Sequence, residues 1–124
     1  MHEATVAAGI LDIVRQHVLA ADALRVRAVR VRVGDMAGVV PDSLGFCFGA
    51  IVAGTEYASA FLAIDRVPAR GVCGECGLAA AIDSLPPFVC PSCRSPFITV
   101  TGGDDLAVVD VELDDAAGEQ PWAL

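Results

Sequence analysis

"CGECGLAAAIDSLPPFVCPSC", residues 73–93, decides how this chain is organised. It holds two C-x-x-C knuckles, Cys73 with Cys76 and Cys90 with Cys93, separated by thirteen residues. A two-residue gap lets one tight turn aim both sulfurs at a single point. Two such turns present four thiolates as a tetrahedron, the arrangement of structural Zn2+. Gly74 and Gly77 permit the first turn and leave backbone N–H groups free to bond sulfur, and Pro91 sets φ in the second. The separation is slightly under the usual range for a paired zinc site and leaves room for two short strands. A redox dithiol would need only one pair, next to a βαβ unit. Two disulfides would need an oxidising compartment. An iron–sulfur cluster uses the same four thiolates, so the donor set leaves iron open beside zinc. A closed four-thiolate site keeps no open coordination position and is therefore structural, not catalytic. The apolar residues of this region, Leu78, Ile82, Phe88, Val89 and Phe97, are few, so metal ligation is expected to contribute its folding free energy directly.

Working outward, "VPARG" and "TGGDD" bracket the segment and place its edges near Ala69 and Thr101. Upstream, residues 4–19 read as a helix, with Val6, Ile10, Ile13, Val14 and Val18 on one face. Residues 25–33 read as a strand, because Val29, Val31 and Val33 alternate with Arg30 and Arg32. Pro41 and Asp42 open a second helix carrying an apolar stripe of Leu44, Cys47, Phe48 and Ile51. Its internal Gly45 and Gly49 each weaken it by roughly 1 kcal/mol relative to Ala, so burial must support it. Residues 60–68 read as a strand stopped by Pro68. Downstream, Val109, Val111 and Leu113 alternate with Asp110 and Glu112 in a last strand. The expected fold class is α+β: two helices on a small three-stranded sheet, with an inserted four-Cys, zinc-ribbon-like domain. In residue terms, 1–68 and 102–115 form the α/β domain, 69–101 the cysteine domain and 116–124 an acidic tail.

Composition narrows the function classes. The 124 residues are 55% hydrophobic and carry a net charge of −8, with eight Arg and no Lys. A phosphate-backbone binder shows the opposite balance, and only Arg70 and Arg94 lie near the knuckles, so nucleic acid and anionic membrane are poor partners. The most apolar run, 44–54, is too short to span a bilayer, and no secretory signal opens the chain. A reducing, cytoplasmic location is expected, where paired cysteines read as metal sites. Cys47 reads as a small buried hydrophobe. His17 reads as exposed or as a partner for its helix C-terminus. "GDMAG", 34–38, lacks the Lys-Ser/Thr of a phosphate loop.

The chain opens "MHE". A histidine in second position is ordinarily part of a loose terminus. Its imidazole also lies close to backbone nitrogens and to the α-amino group, and such a set suits the square-planar or tetragonal geometry of Ni2+ or Cu2+. That site has few ligands and is exposed, so it would exchange its metal, unlike the closed thiolate site.

Taken in order, "MHE", "VRVRVGDMAGVVPDSLGFCFGAIVAGT", "RVPARGVCGECG", "CPSC" and "LAVVDVEL" resemble the HypA/HybF family of nickel-insertion accessory proteins, from Met1 to about Leu113. The resemblance implies exchangeable Ni2+ bound through His2 and neighbouring backbone nitrogens, with Met1, Glu3 and Asp42 as secondary candidates. It implies structural Zn2+ on Cys73, Cys76, Cys90 and Cys93. It also implies a non-enzymatic role, passing nickel to the large subunit of NiFe-hydrogenase together with a GTPase maturation partner. The competing reading is a zinc-ribbon interaction module with no transferable metal. One departure stands out: Arg94 occupies a position where many zinc knuckles carry glycine.

Overall fold

The computed structural model describes residues 2–21 and 25–114. Met1 and the acidic tail at 116–124, with Trp122, lie outside the described residues. The element order is α1 (Glu3–Ala21), β1 (Arg25–Gly34), α2 (Pro41–Val52), β2 (Phe61–Val67), β3 (Arg70–Cys73), β4 (Ala79–Ala81), β5 (Ile98–Gly102) and β6 (Leu106–Asp114). Two three-stranded sheets form, in the orders β2-β1-β6 and β4-β3-β5. The expected α+β architecture is present: two helices, a three-stranded sheet, and a four-Cys segment inserted between β2 and β6. Backbone contacts divide the chain into two compact units, one of Met1–Val31, Val39–Ile64 and Val108–Leu124, the other of Arg32–Gly38 and Asp65–Ala107.

In the first unit α1 and α2 pack on each other. The buried residues of α1 are Val6, Ala7, Ile10, Leu11 and Val14. At about 100° per residue this stripe is centred so that Ile13 falls roughly 90° from its middle. Ile13 is accordingly 37% exposed, and Ala7 and Leu11 take the place the periodicity assigned to it. Leu44, Phe48 and Val52 form the buried line of α2, while Cys47 and Ile51 flank it half-buried. The guanidinium of Arg15 lies 5.9 Å from the ring centroid of buried Tyr57, close enough for a cation–π contact.

β1 is the central strand, and Val26, Val29, Val31, Val33 and the terminal Gly34 are its buried residues. The alternation slips once, between Val26 and Val29. On the opposite face Arg27 pairs with Glu112 at 3.1 Å and Arg30 with Asp110 at 3.6 Å. The two pairs run in opposite order along the strands, which makes β1 and β6 antiparallel.

In the second unit, β3 pairs antiparallel with both neighbours: Arg70 faces Ala81 and Val72 faces Ala79 on one side, and Cys73 faces Ile98 on the other. The main chain at Gly34, Ala69 and Gly103 is in close contact. A side chain on Gly34 would meet the Gly103 carbonyl oxygen at 2.0 Å, and one on Gly103, where φ is +104°, would meet the Ala69 Cα at 2.6 Å. The Gly34 N–H donates to the Asp105 carbonyl at 2.7 Å, Met36 to Gly103 at 2.7 Å, and Asp35 to Val67 at 2.8 Å. Arg66 donates to the Asp35 carboxylate at 3.0 Å. The "GD" at 34–35, which carries no phosphate-loop chemistry, is thus a packing and hydrogen-bonding point.

Candidate metal centres

Between residues 69 and 102 the buried residues are Ala69, Gly71, Cys73, Cys90 and Ser95. Leu85 is 70% exposed and Phe97 65%. No large apolar side chain is buried in this stretch, so its interior consists of two cysteines and three small residues. That is too little to hold a fold by burial, and a metal bond is the expected substitute.

The four sulfurs converge. Cys73 Sγ lies 3.5 Å from Cys93 Sγ, and Cys76 Sγ lies 3.6 Å from Cys90 Sγ; all four lie within 4.8 Å of one another. Sulfurs at about 2.3 Å from a central Zn2+ would stand about 3.8 Å apart, whereas a disulfide needs about 2.05 Å. The donor set therefore fits one tetrahedral ion.

Both knuckles are built alike. In the first, the N–H groups of Glu75 and Cys76 donate to Cys73 Sγ, each at 3.4 Å. In the second, those of Ser92 and Cys93 donate to Cys90 Sγ at 3.4 and 3.5 Å. The turns close with Gly77 N–H on the Cys73 carbonyl at 3.1 Å and Arg94 N–H on the Cys90 carbonyl at 2.9 Å. Closure requires positive φ at the residue after each second cysteine: +76° at Gly77 and +63° at Arg94. The departure from glycine at Arg94 leaves the turn geometry intact. Two more backbone bonds hold the first knuckle, from Cys73 N–H to the Leu78 carbonyl at 2.9 Å and from Gly74 N–H to the Phe97 carbonyl at 2.7 Å.

These N–H groups also set the thiol acidities. Hydrogen bonds from Cys76 and Glu75 hold Cys73 down at about 6. The Cys93 N–H, joined by that of Ser92, lowers Cys90 against the opposing effect of burial. The second cysteine of each knuckle moves the other way. At Cys93 the Ser95 N–H is outweighed by the thiols of Cys73, Cys90 and Cys76 and by burial, which push it up to about 12. At Cys76 the Leu78 N–H is outweighed by the Cys90 and Cys73 thiols and by burial, and the group is raised. Neighbouring sulfurs cannot all be ionised while only protons hold them together. A dication removes that restriction.

The N-terminal candidates are arranged differently. His2 is exposed, and its carbonyl accepts the Val6 N–H at 3.1 Å, so His2 begins the hydrogen-bonding of α1. Glu3 Oε2 accepts the Val40 N–H at 3.0 Å. That bond, with a second from its own backbone N–H, holds the Glu3 carboxyl below its ordinary value. Val40 is the N-cap of α2, and Asp42, exposed, lies in the first turn that follows. Glu3 thus brings the start of α2 against the start of α1. Among the described residues, Cys73, Cys76, Cys90 and Cys93 are the one converging cluster of metal-capable side chains; His2, Glu3 and Asp42 form no such cage. His17 Nδ1 lies 2.9 Å from the Ile13 carbonyl on its own helix and belongs to neither centre. Sequence reasoning missed the Glu3–Val40 bond and the positive φ of Arg94. The repeat of the knuckle pattern, with Gly77 in the matching place, was the available signal for the second.

Residues 1–113 match the family described as "Hydrogenase/urease nickel incorporation, metallochaperone, hypA". The hydrogenase maturation factor HypA of Streptomyces avermitilis is 40% identical over 116 residues, covering 93% of this chain and 88% of that protein. Its counterpart from Geobacter sulfurreducens is 36% identical, covering 92% of this chain and all of that protein. The solution structure of the nickel metallochaperone HypA from Helicobacter pylori shares the fold, with a TM-score of 0.62 at 20% identity, over 93% of this chain and 99% of that one.

Proposed function

Because this chain belongs to the HypA family, we propose that it is a nickel metallochaperone, which binds Ni2+ at its N-terminus and delivers it during maturation of NiFe-hydrogenase. The observation that carries this reading is the family match from residue 1 to residue 113, which takes in both the exposed His2 and the converging thiolates. Ni2+ is cargo: the His2 imidazole and the nearby backbone nitrogens bind it in a square-planar or tetragonal set. The carbonyl of His2 is engaged by α1, which leaves its imidazole and the nitrogens upstream as donors. Asp42 is a further candidate in the adjoining turn. Cys73, Cys76, Cys90 and Cys93 hold Zn2+, which supplies folding free energy to residues 69–101 and takes no part in transfer.

Delivery is ligand exchange, so the protein is not an enzyme. The receiving partners are the hydrogenase large subunit and a GTPase of the maturation pathway, met in the cytoplasm. No helix among the described residues is long and apolar enough to cross a membrane. A zinc-ribbon module without transferable metal would leave the N-terminal arrangement with no task.

Metal analysis after incubation with both ions and dialysis against a mild chelator tests the reading. The parent should keep about one Zn2+ per chain and surrender its Ni2+. His2→Ala should lose tight nickel binding and keep its zinc and its melting temperature. A nickel isotherm for His2→Ala that overlays the parent's would refute the N-terminal site.

A further inference from the structure

We propose that Glu3 serves nickel binding as a positioning residue and not as a ligand: its carboxylate fastens the first turn of α1 to the N-cap of α2 and so fixes the backbone that carries His2. The inference rests on the N-terminal nickel reading above.

α2 begins without a cap of its own. Its N-cap is Val40, which has no side-chain acceptor, and Pro41 follows. In a capping box the acid at the third helical position reaches back to the N-cap N–H. That position here is Ser43, too short to do so. Glu3 performs the task from 37 residues away, accepting the Val40 N–H at 3.0 Å. The other side of His2 is secured by the Val6 N–H on its carbonyl. A residue at a chain terminus would otherwise pay the full ordering entropy on binding a metal. Here the turn after it is already tied at two points. Ligation of nickel by Glu3 Oε2 would compete with the Val40 N–H for that oxygen. Asp42, two residues beyond Val40, is carried by the turn that Glu3 holds.

Nickel titrations of full-length variants decide the matter, each checked for zinc content and helical circular dichroism. Glu3→Ala should bind Ni2+ about tenfold more weakly, the effect of losing one charge-assisted hydrogen bond. Glu3→Gln keeps an oxygen that can accept the same N–H and should recover most of that loss. Val40→Pro removes the donor and should weaken binding as Glu3→Ala does, and the double variant should be no worse than either single. The ligand-field absorption of bound Ni2+ should be the same in the parent, Glu3→Gln and Glu3→Ala, because no donor atom changes. A Glu3→Gln variant as weak as Glu3→Ala, or a changed nickel spectrum, would make Glu3 a ligand and overturn the proposal. Parent-like binding by Glu3→Ala would overturn it too. Should Val40→Pro fail to fold, the Glu3→Gln and Glu3→Ala pair decides alone. Failure of the underlying reading is separate, since it appears as unchanged nickel binding in His2→Ala.

Discussion

Replacing Arg94 with glycine should tighten the zinc site by roughly twofold to fivefold, a range that follows from one backbone angle. Arg94 sits at φ +63° and its counterpart Gly77 at φ +76°, each closing its turn through an N–H on the carbonyl of the first cysteine. A residue with a Cβ in this region costs roughly 1–2 kcal/mol. Glycine removes that strain but loses about 0.5–1 kcal/mol to the greater freedom of the unfolded chain. The net gain is about 0.5–1 kcal/mol, and because ligation is coupled to folding it appears in the zinc affinity. Nothing offsets it: Arg94 is exposed and makes no ion pair among the described residues. Gly77→Ala is the converse. A methyl group there meets no atom within 4 Å, so its effect is the backbone strain less the unfolded-chain term, a weakening of similar size. Zinc competition against a chromophoric chelator reads both, with Arg94→Ala as the control that deletes the guanidinium and keeps the strain. If Arg94→Ala tightens zinc as much as Arg94→Gly, or Arg94→Gly weakens it, the reasoning from φ is wrong.

Gly34→Ala should be severely destabilising, by about 3 kcal/mol or more, because the added carbon would stand 2.0 Å from the Gly103 carbonyl oxygen and 2.7 Å from the Asp105 nitrogen; thermal melts check this, and a shift of only a degree or two would contradict it. Cys73→Ser should lose zinc, and residues 70–100 should lose hydrogen-exchange protection first, since three thiolates cannot close the tetrahedron. Zinc affinity should rise with pH and fall in acid: with Cys73 lowered to about 6 but Cys76 raised and Cys93 at about 12, the metal-free site retains at least the Cys76 and Cys93 protons at pH near 7.5, and Zn2+ must displace them. Calorimetry in buffers of different ionisation enthalpy counts them, and release of less than one proton would contradict the assignment.

The four cysteines were legible because ligand spacing is local: a C-x-x-C turn aims its sulfurs whatever surrounds it. The two helices and the strands β1 and β6 were legible from apolar period, and β2 from its stop at Pro68, although the period placed Ile13 inside when the stripe is centred on Val6, Ala7, Ile10, Leu11 and Val14. β4 was not legible. Ala79–Ala81 has no alternation, and it is a strand only because Arg70, Gly71 and Val72 supply its hydrogen-bonding partner. The same holds for contacts far apart in sequence. Gly34 against Gly103 and Glu3 against Val40 arise only when the chain has folded, and no composition or period marks them. Arg94 was missed for the opposite reason: its residue type argues against the conformation that the turn imposes, although Gly77 in the matching place marked it.

Nickel binding at His2 should depend on an unextended N-terminus. Nickel titrations should compare a chain whose first residue is Met1 with two fusions of the same short tag, one before Met1 and one after Leu124. Extension before Met1 turns the α-amine into an amide and crowds the His2 imidazole, while zinc content should stay at about one per chain in all three. The N-terminal fusion should lose tight nickel binding, the C-terminal fusion should keep it, and cleavage back to Met1 should restore it. Equal nickel affinity in the two fusions would contradict nickel binding at the N-terminus.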